Sequence, residues 1–152
     1  MASTEAPWHN AFPAPRTTKP ESRSREEVLN MLKLTQGSER RDFVIVDVRR
    51  NDYEGGSVRG SINLPAQSLY PTIPTLYQLF KAAGVKEIFW YCGSSSGRGT
   101  RTAGWFADYI EDKDDVEMKS MILAGGIKGW VAAGGEYTEW MEGYDAAVWS
   151  KA

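Results

Sequence analysis

The most reactive side chain in this sequence is its single cysteine, Cys92, which stands six positions before Arg98. Only small residues separate the two, in the order Gly93, Ser94, Ser95, Ser96 and Gly97. A loop of small residues that leads into a helix directs several backbone N–H groups towards one point, where the helix dipole also favours negative charge. The glycines add backbone conformations that a β-carbon would resist. Residues 93–97 are therefore the predicted oxyanion-binding loop.

This position also predicts a chemical role for the thiol. A sulfur at the base of an anion-binding loop and beside a helix N-terminus is favoured as the thiolate, the nucleophilic form of cysteine. The guanidinium of Arg98 can fold back over the loop and bind two oxygens of a tetrahedral anion at once. Cys92 and Arg98 are the predicted catalytic pair. The alternative is an inert buried cysteine followed by a linker and an exposed arginine.

Strands and helices alternate around this loop. Continuous apolar runs predict buried strands at 43–48, 87–91 and 119–123, and helical spacing predicts helices after Ser24, over 75–83, over 102–110 and after Gly125–Gly126. This alternation predicts an α/β fold with an open, mostly parallel sheet and helices on both faces. Ligands of such sheets bind beyond the carboxyl ends of the strands, near a topological switch point. Cys92 directly follows the predicted strand 87–91, so it falls at that edge.

Composition restricts the classes of function. The 152 residues match one domain, and a net charge of −2 gives no reason to expect nucleic acid or an anionic membrane as partner. One Cys and one His exclude an internal disulfide framework and a Cys/His zinc site, so no metal is expected. The longest apolar run, Ile88–Cys92, is far shorter than the ~20 residues of a membrane span. With no secretory h-region, we expect a cytoplasmic protein, with the nucleus as alternative.

The domain boundary is expected near residue 22. Four of the seven prolines lie within the first 20 residues, which predicts a Pro-rich mobile arm over 1–22 and a single domain over 23–152. Trp140, Tyr144 and Trp149 are expected to hold the C-terminal tail against that domain. The sequence leaves the oligomeric state open.

Residues 24–149 resemble the rhodanese superfamily. Three segments carry the resemblance in order, namely 47–65 with Asp47-Val-Arg49 and Tyr53-Glu-Gly-Gly56, the loop beginning Tyr91-Cys92, and 123–130 with Gly125-Gly126 and Trp130. The resemblance implies a rhodanese-like sheet of about five strands. This chain departs from the family at Ser57 and Tyr91, where a histidine is usual. The resemblance makes Asp47 and Arg49 a structural ion pair framing the site, with Tyr91 as a further supporting candidate. Arg101, three residues after Arg98, is another: it either adds positive potential at the mouth of the site or is an exposed helical charge.

The length of the loop narrows the resemblance. Sulfurtransferases of the superfamily usually have a loop one residue shorter, whereas the Cys-x5-Arg loop is similar to that of cell-division-cycle-type phosphatases and of eukaryotic, including fungal, arsenate reductases. This loop lacks the glutamates of those phosphatases, so no nearby acid is expected to protonate an alkoxide leaving group. The resemblance therefore implies an arsenate reductase acting by a cysteine thiolate, with phosphatase activity as a side reaction.

The single thiol limits that mechanism. Without a second cysteine a reduction needs external thiols, so glutathione or a glutaredoxin is the expected partner and no bound cofactor is expected. Three alternatives stay open: a protein tyrosine or dual-specificity phosphatase, a thiosulfate sulfurtransferase, and a non-catalytic rhodanese-like binding module. The phosphatase would act on a phosphorylated substrate, whereas the arsenate reductase would act on a small oxyanion.

Overall fold

The centre of the molecule is a parallel sheet, seen in a computed structural model that describes residues 7–38 and 41–150. Its strands are Glu21–Arg23 (β1), Phe43–Asp47 (β2), Ile62–Asn63 (β4), Glu87–Tyr91 (β5) and Lys119–Leu123 (β6). They lie in the order β1-β6-β5-β2-β4, and every neighbouring pair runs parallel. Ser57–Val58 (β3) and Met141–Glu142 (β7) form a separate antiparallel pair. The predicted α/β fold with a sheet of five strands is confirmed.

The helices connect these strands. They are Arg25–Leu34 (α1), Ala66–Leu69 (α2), Ile73–Ala82 (α3), Arg98–Asp112 (α4), Gly126–Ala132 (α5), Glu136–Glu139 (α6) and Ala146–Ser150 (α7). Ser24 caps α1 through a capping box with Glu27, which satisfies two backbone donors at that helix end. Helix α3 begins at Ile73, two residues before the predicted start, because Pro74 is tolerated in a first helical turn, where its missing N–H is not needed.

Both faces of the sheet are covered. Successive residues of β5 alternate between two cores, with Ile88 and Trp90 in one and Phe89 and Tyr91 in the other. Helices α3 and α4 cover the first face with Phe80 and Phe106, while α1 and α5 cover the second with Val28 and Trp130. Helices on both faces force a continuous apolar sequence on the central strands. That is why continuous apolar runs were enough to predict β2 and β5.

The segment predicted as a Pro-rich mobile arm over 1–22 lies against the domain where the structure describes it. Residues 1–6 lie outside the described part of the chain. Residues 7–17 pack along α4: Trp8 and Phe12 contact the Trp105 ring, whose Nε1–H donates to the Pro13 carbonyl over 2.8 Å. Glu21–Arg23 then adds β1 to the sheet edge beside β6. The proline-rich composition does not exclude a short 3-10 helix, which forms at Trp8–Ala11, nor a segment held by aromatic packing and strand pairing.

Candidate active site

The site lies in the crevice between the carboxyl ends of β2 and β5. These strands are neighbours, with Asp47 opposite Tyr91, but the chain leaving β2 continues to β4 on one side and the chain leaving β5 continues to β6 on the other. The two loops diverge there, which is the topological switch point where ligands of open α/β sheets bind. The loop after β2, residues 48–56, therefore faces the loop that begins at Cys92.

The Cys92 sulfur lies at the base of its loop, and the residue is 3% exposed. Its Sγ accepts the backbone N–H of Ser95 over 3.2 Å and that of Gly99, in the first turn of α4, over 3.4 Å. Two N–H donors and a helix N-terminus stabilise negative charge on the sulfur. Ser95 adopts a left-handed backbone conformation with φ 64°, and its carbonyl accepts the Thr100 hydroxyl over 2.6 Å. One N–H group of the loop, that of Ser95, and one of α4, that of Gly99, thus point at the sulfur.

The N-terminus of α5 is hydrogen-bonded to the start of the loop. The N–H groups of Ile127 and Lys128 donate to the carbonyls of Cys92 (3.1 Å) and Gly93 (3.0 Å). Gly126 makes this approach possible, because a Cβ at that position would lie 2.5 Å from the Gly93 oxygen. From the sequence, Gly125–Gly126 was predicted only to precede a helix. A Gly-Gly pair between a buried strand and a helix was the signal for a close backbone approach.

The Arg98 guanidinium forms an ion pair with Asp52, a residue of the loop after β2. Its Nη1 and Nη2 donate to Oδ1 and Oδ2 of Asp52, over 2.7 and 2.5 Å. This bond raises the pKa of Arg98 and lowers that of Asp52 to about 2, so Asp52 is ionised at neutral pH. The sequence analysis missed Asp52, which is 46 positions away and follows a different strand.

Asp47 and Arg49 form the expected ion pair. The two side chains are 0% and 2% exposed, and Nε and Nη2 of Arg49 bind the Asp47 carboxylate over 2.7–3.1 Å. Burial lowers the pKa of Arg49, but the hydrogen bond to Asp47 and the negative charges around the guanidinium together outweigh it and leave that pKa raised. The remaining donors bind the carbonyls of Asp52, Glu54 and Gly56 over 2.8–3.3 Å. A buried charge pair needs such full hydrogen bonding, and here it fixes the loop that carries Asp52.

The other two supporting candidates lie away from the sulfur. Tyr91 belongs to the core on the face opposite Cys92, and its hydroxyl accepts the Val58 N–H over 3.1 Å; burial raises its pKa well above the ordinary value. Arg101 lines a groove between the Ser96–Gly97 turn and the N-terminal segment. Neither residue therefore stands at the mouth of the crevice.

A cavity of about 350 Å³ lies beside the loop and reaches it at Gly93. Its walls are formed by Arg49, Asp52, Glu54, Gly93, Ile127, Lys128, Val148 and Trp149. Trp149 donates its Nε1–H to the Gly55 carbonyl over 2.8 Å, so α7 closes one side. Trp140 and Trp149 pack against the core as expected of the tail, whereas Tyr144 is 41% exposed. Lys128, exposed on α5, was not assigned a role from the sequence. The sequence did offer a signal for a role of Lys128 at the site. Lys128 comes just after the Gly-Gly turn that follows a parallel strand, and ligands bind at that end of the strands.

Neither a metal site nor a membrane span is found within residues 7–38 and 41–150. In these ranges no three or more His, Cys, Asp or Glu side chains are grouped to hold a metal ion. No helix there is both long and apolar enough to cross a bilayer.

By its fold and its crevice the protein is an α/β domain with an open parallel sheet, in which the single cysteine directly follows a central strand. Residues 26–133 match the model of the Rhodanese-like domain, and the chain belongs to that family. Arsenical-resistance protein 2 of Saccharomyces cerevisiae is 27% identical over 100 residues, covering 61% of this chain and 77% of the yeast protein.

Solved structures share the fold. Ygr203w, a yeast protein tyrosine phosphatase of the Rhodanese family, has a TM-score of 0.70 at 22% identity, covering 85% of this chain and 96% of its own. The As-Sb reductase from Leishmania major has a TM-score of 0.70 at 20% identity, covering 81% and 85%. These similarities confirm the rhodanese-like architecture expected from the three sequence segments.

Proposed function

We propose that this protein reduces arsenate, using Cys92 as nucleophile and glutathione or a glutaredoxin as external reductant. The observation that carries the proposal is the Cys92 sulfur, which accepts two backbone N–H groups at the base of a loop without acidic side chains. Similarity to an arsenical-resistance protein supports the same substrate.

In the first step the Cys92 thiolate attacks arsenic. A sulfur–arsenic bond forms, one arsenic–oxygen bond breaks, and the departing oxygen leaves as water after taking protons from solvent. The remaining oxygens carry the negative charge that loop N–H groups and Arg98 are suited to bind. Because water is the leaving group, this step needs less help from an enzymic acid than release of an alkoxide does.

In the second step glutathione thiolate attacks the arsenic-bound Cys92 sulfur. A disulfide between Cys92 and glutathione forms, the sulfur–arsenic bond breaks, and its electron pair stays on arsenic, which leaves as arsenite. A second glutathione, directly or through a glutaredoxin, then attacks the mixed disulfide and restores the Cys92 thiolate. Overall, arsenate and two glutathiones give arsenite, glutathione disulfide and water. The single cysteine makes both external thiols necessary.

Two features of the cavity favour arsenate over a phosphoester. Asp52, which bonds Arg98, has its pKa held at about 2 by that bond and has no proton to donate at neutral pH. The volume of about 350 Å³ is at the small end of ligand cavities, and Trp149 closes one side. Both properties suit a small oxyanion whose leaving group is water.

The test is an assay of one preparation against arsenate with glutathione, aryl phosphate, and thiosulfate with cyanide. Cys92→Ser should reduce arsenate turnover to background, and Arg98→Ala should lower kcat/KM by about 10²–10³-fold, as expected for loss of an oxyanion donor. Arg101→Ala is the matched control, since Arg101 lies on the same helix but lines a different groove. Arg101→Ala should keep arsenate turnover within about twofold of the unmodified protein, as expected of a neutral surface substitution.

Each competing function has its own outcome in this assay. Undiminished arsenate reduction by Cys92→Ser would contradict the proposal. Vanadate-sensitive aryl phosphate turnover without arsenate reduction would indicate a phosphatase. A persulfide on Cys92 after thiosulfate, seen by mass spectrometry as one added sulfur, would indicate a sulfurtransferase. A Cys92 that is unreactive in all three assays would indicate a binding module.

A further inference from the structure

The bond between Arg98 and Asp52 uses only one edge of the guanidinium. Asp52 accepts one hydrogen from each of Nη1 and Nη2, which is the end-on arrangement. An arginine has five N–H donors in one plane, so the edge formed by Nε and Nη2 is left over. Within the described ranges of the chain, the Arg98 Nε–H forms no hydrogen bond. The free edge has the spacing that binds two oxygens of a tetrahedral anion.

Asp52 is itself held in place from the core. The buried Arg49 side chain donates to the carbonyls of Asp52 (3.3 Å) and Glu54 (3.1 Å), and Asp47 fixes that guanidinium in turn. The Asp52 backbone is therefore attached to the end of β2, while Arg98 is attached to the start of α4. Their bond joins the two sides of the crevice.

We propose that Asp52 is a positioning residue, which holds the Arg98 guanidinium so that its free edge binds the substrate oxyanion. The inference rests on the proposed function only in taking an oxyanion as ligand. A long, partly exposed arginine loses rotamer freedom when it binds a ligand, and a partner that orders it beforehand reduces that cost. Asp52 thus strengthens oxyanion binding although it is negatively charged.

The experiment measures binding of inorganic phosphate, which needs no turnover, by NMR titration of the loop amides 93–97 in the full-length protein. Asp52→Ala should weaken phosphate binding by about 2- to 10-fold, the value of one immobilised long side chain. Asp52→Asn keeps the shape and one acceptor oxygen, so its loss should be smaller. Both variants should fold, since the Asp52 side chain is 49% exposed.

The matched control is Glu54→Gln, which removes a negative charge from the same cavity without touching Arg98. If charge alone mattered, both variants would tighten phosphate binding, because a like charge has been removed. We expect Glu54→Gln to tighten it and Asp52→Ala to weaken it. Tightening in both would overturn the inference and make Asp52 a competitor for Arg98.

A double-mutant cycle separates positioning from a general structural effect. In an Arg98→Ala background, Asp52→Ala should change phosphate affinity by less than about twofold, because the residue through which it acts is gone. An equal loss in both backgrounds would overturn the inference, as would the absence of saturable phosphate binding by the unmodified protein. Intact coupling without arsenate reduction would instead contradict the proposed function alone.

Discussion

At the scale of single residues, the site is a set of charges and donors around one sulfur. Backbone N–H groups of Ser95 and Gly99 bond the Cys92 sulfur directly, and the Arg98 charge also acts on that side chain. Asp52 already bonds Arg98, so that ion pair carries no net charge. A second cation, Lys128, has an exposed side chain that lines the same cavity beside Gly93.

We predict that Lys128→Gln raises KM for arsenate about 2- to 5-fold at low salt, with kcat little changed, because an exposed cation attracts the anion without contacting the reacting atoms. Steady-state kinetics over a range of NaCl concentrations is the measurement, and the difference should shrink as salt screens the charge. Lys119→Gln is the matched control, since Lys119 begins β6 and so lies at the amino ends of the parallel strands, opposite to the site. An equal effect of the two variants would refute a local role for Lys128.

At the scale of elements, the loop depends on α5 as much as on α4. Helix α4 supplies the N–H of Gly99, while α5 binds the carbonyls of Cys92 and Gly93 and so keeps them turned away from the sulfur side. The contact works because Gly126, with φ 59°, has no side chain. Two helix N-termini thus determine the loop conformation from opposite sides.

Gly126→Ala is therefore expected to damage the site, and Gly134→Ala serves as its control. Gly134 has nearly the same conformation, φ 62°, but nothing lies within 4 Å of the position that a β-carbon would take there. Both substitutions incur the strain of a left-handed alanine, about 1–2 kcal/mol. Gly126→Ala should cost a further 1–3 kcal/mol or so through overpacking against the loop.

Urea denaturation and arsenate turnover of the two variants measure this difference. The expected result is that Gly134→Ala loses stability but keeps the activity of its folded fraction, whereas Gly126→Ala loses both. Equal activity in the two variants would show that the contact between α5 and the loop is dispensable.

At the scale of the whole molecule, the N-terminal segment is part of the domain. The Asp108 carboxylate on α4 accepts the backbone N–H groups of Arg16 (2.7 Å) and Thr17 (3.0 Å) and the Thr17 hydroxyl (2.7 Å). Together with the packing of Trp8 and Phe12, these bonds fix an extended chain on the outside of α4. A buried carboxylate needs such partners, so each side of the contact stabilises the other.

The double variant Trp8→Ala with Phe12→Ala tests this docking. Both rings are half-buried, so we expect a loss of about 2–4 kcal/mol in the free energy of unfolding, below the value for two fully buried aromatic side chains. The neighbouring Asn10→Ala, at an exposed position, should change it by less than about 0.5 kcal/mol. Urea denaturation compares the two. Indistinguishable midpoints would restore the prediction of a separate arm.

Local patterns in the sequence were sufficient for β2, β5 and β6, for the main helices and for the position of the Cys92 loop, but not for the short strands β1, β3 and β7. Burial on both faces imposes apolar runs on β2 and β5, and a loop of glycine and serine between strand and helix has few other uses. The Asp47–Arg49 pair was predicted as well, through resemblance to a family, since two residues on one strand end remain together in any fold that keeps the strand.

Only the tertiary structure decided which distant groups meet at the sulfur. Asp52 reaches Arg98 because β2 and β5 are neighbours, and α5 reaches the loop because β6 lies beside β5. The periodicity of a segment records which of its faces is buried but not which segment covers it. Strand order is set by packing over the whole chain, and so the sequence determined the nucleophile and its loop, whereas the structure determined the partners of Arg98 and the walls of the cavity.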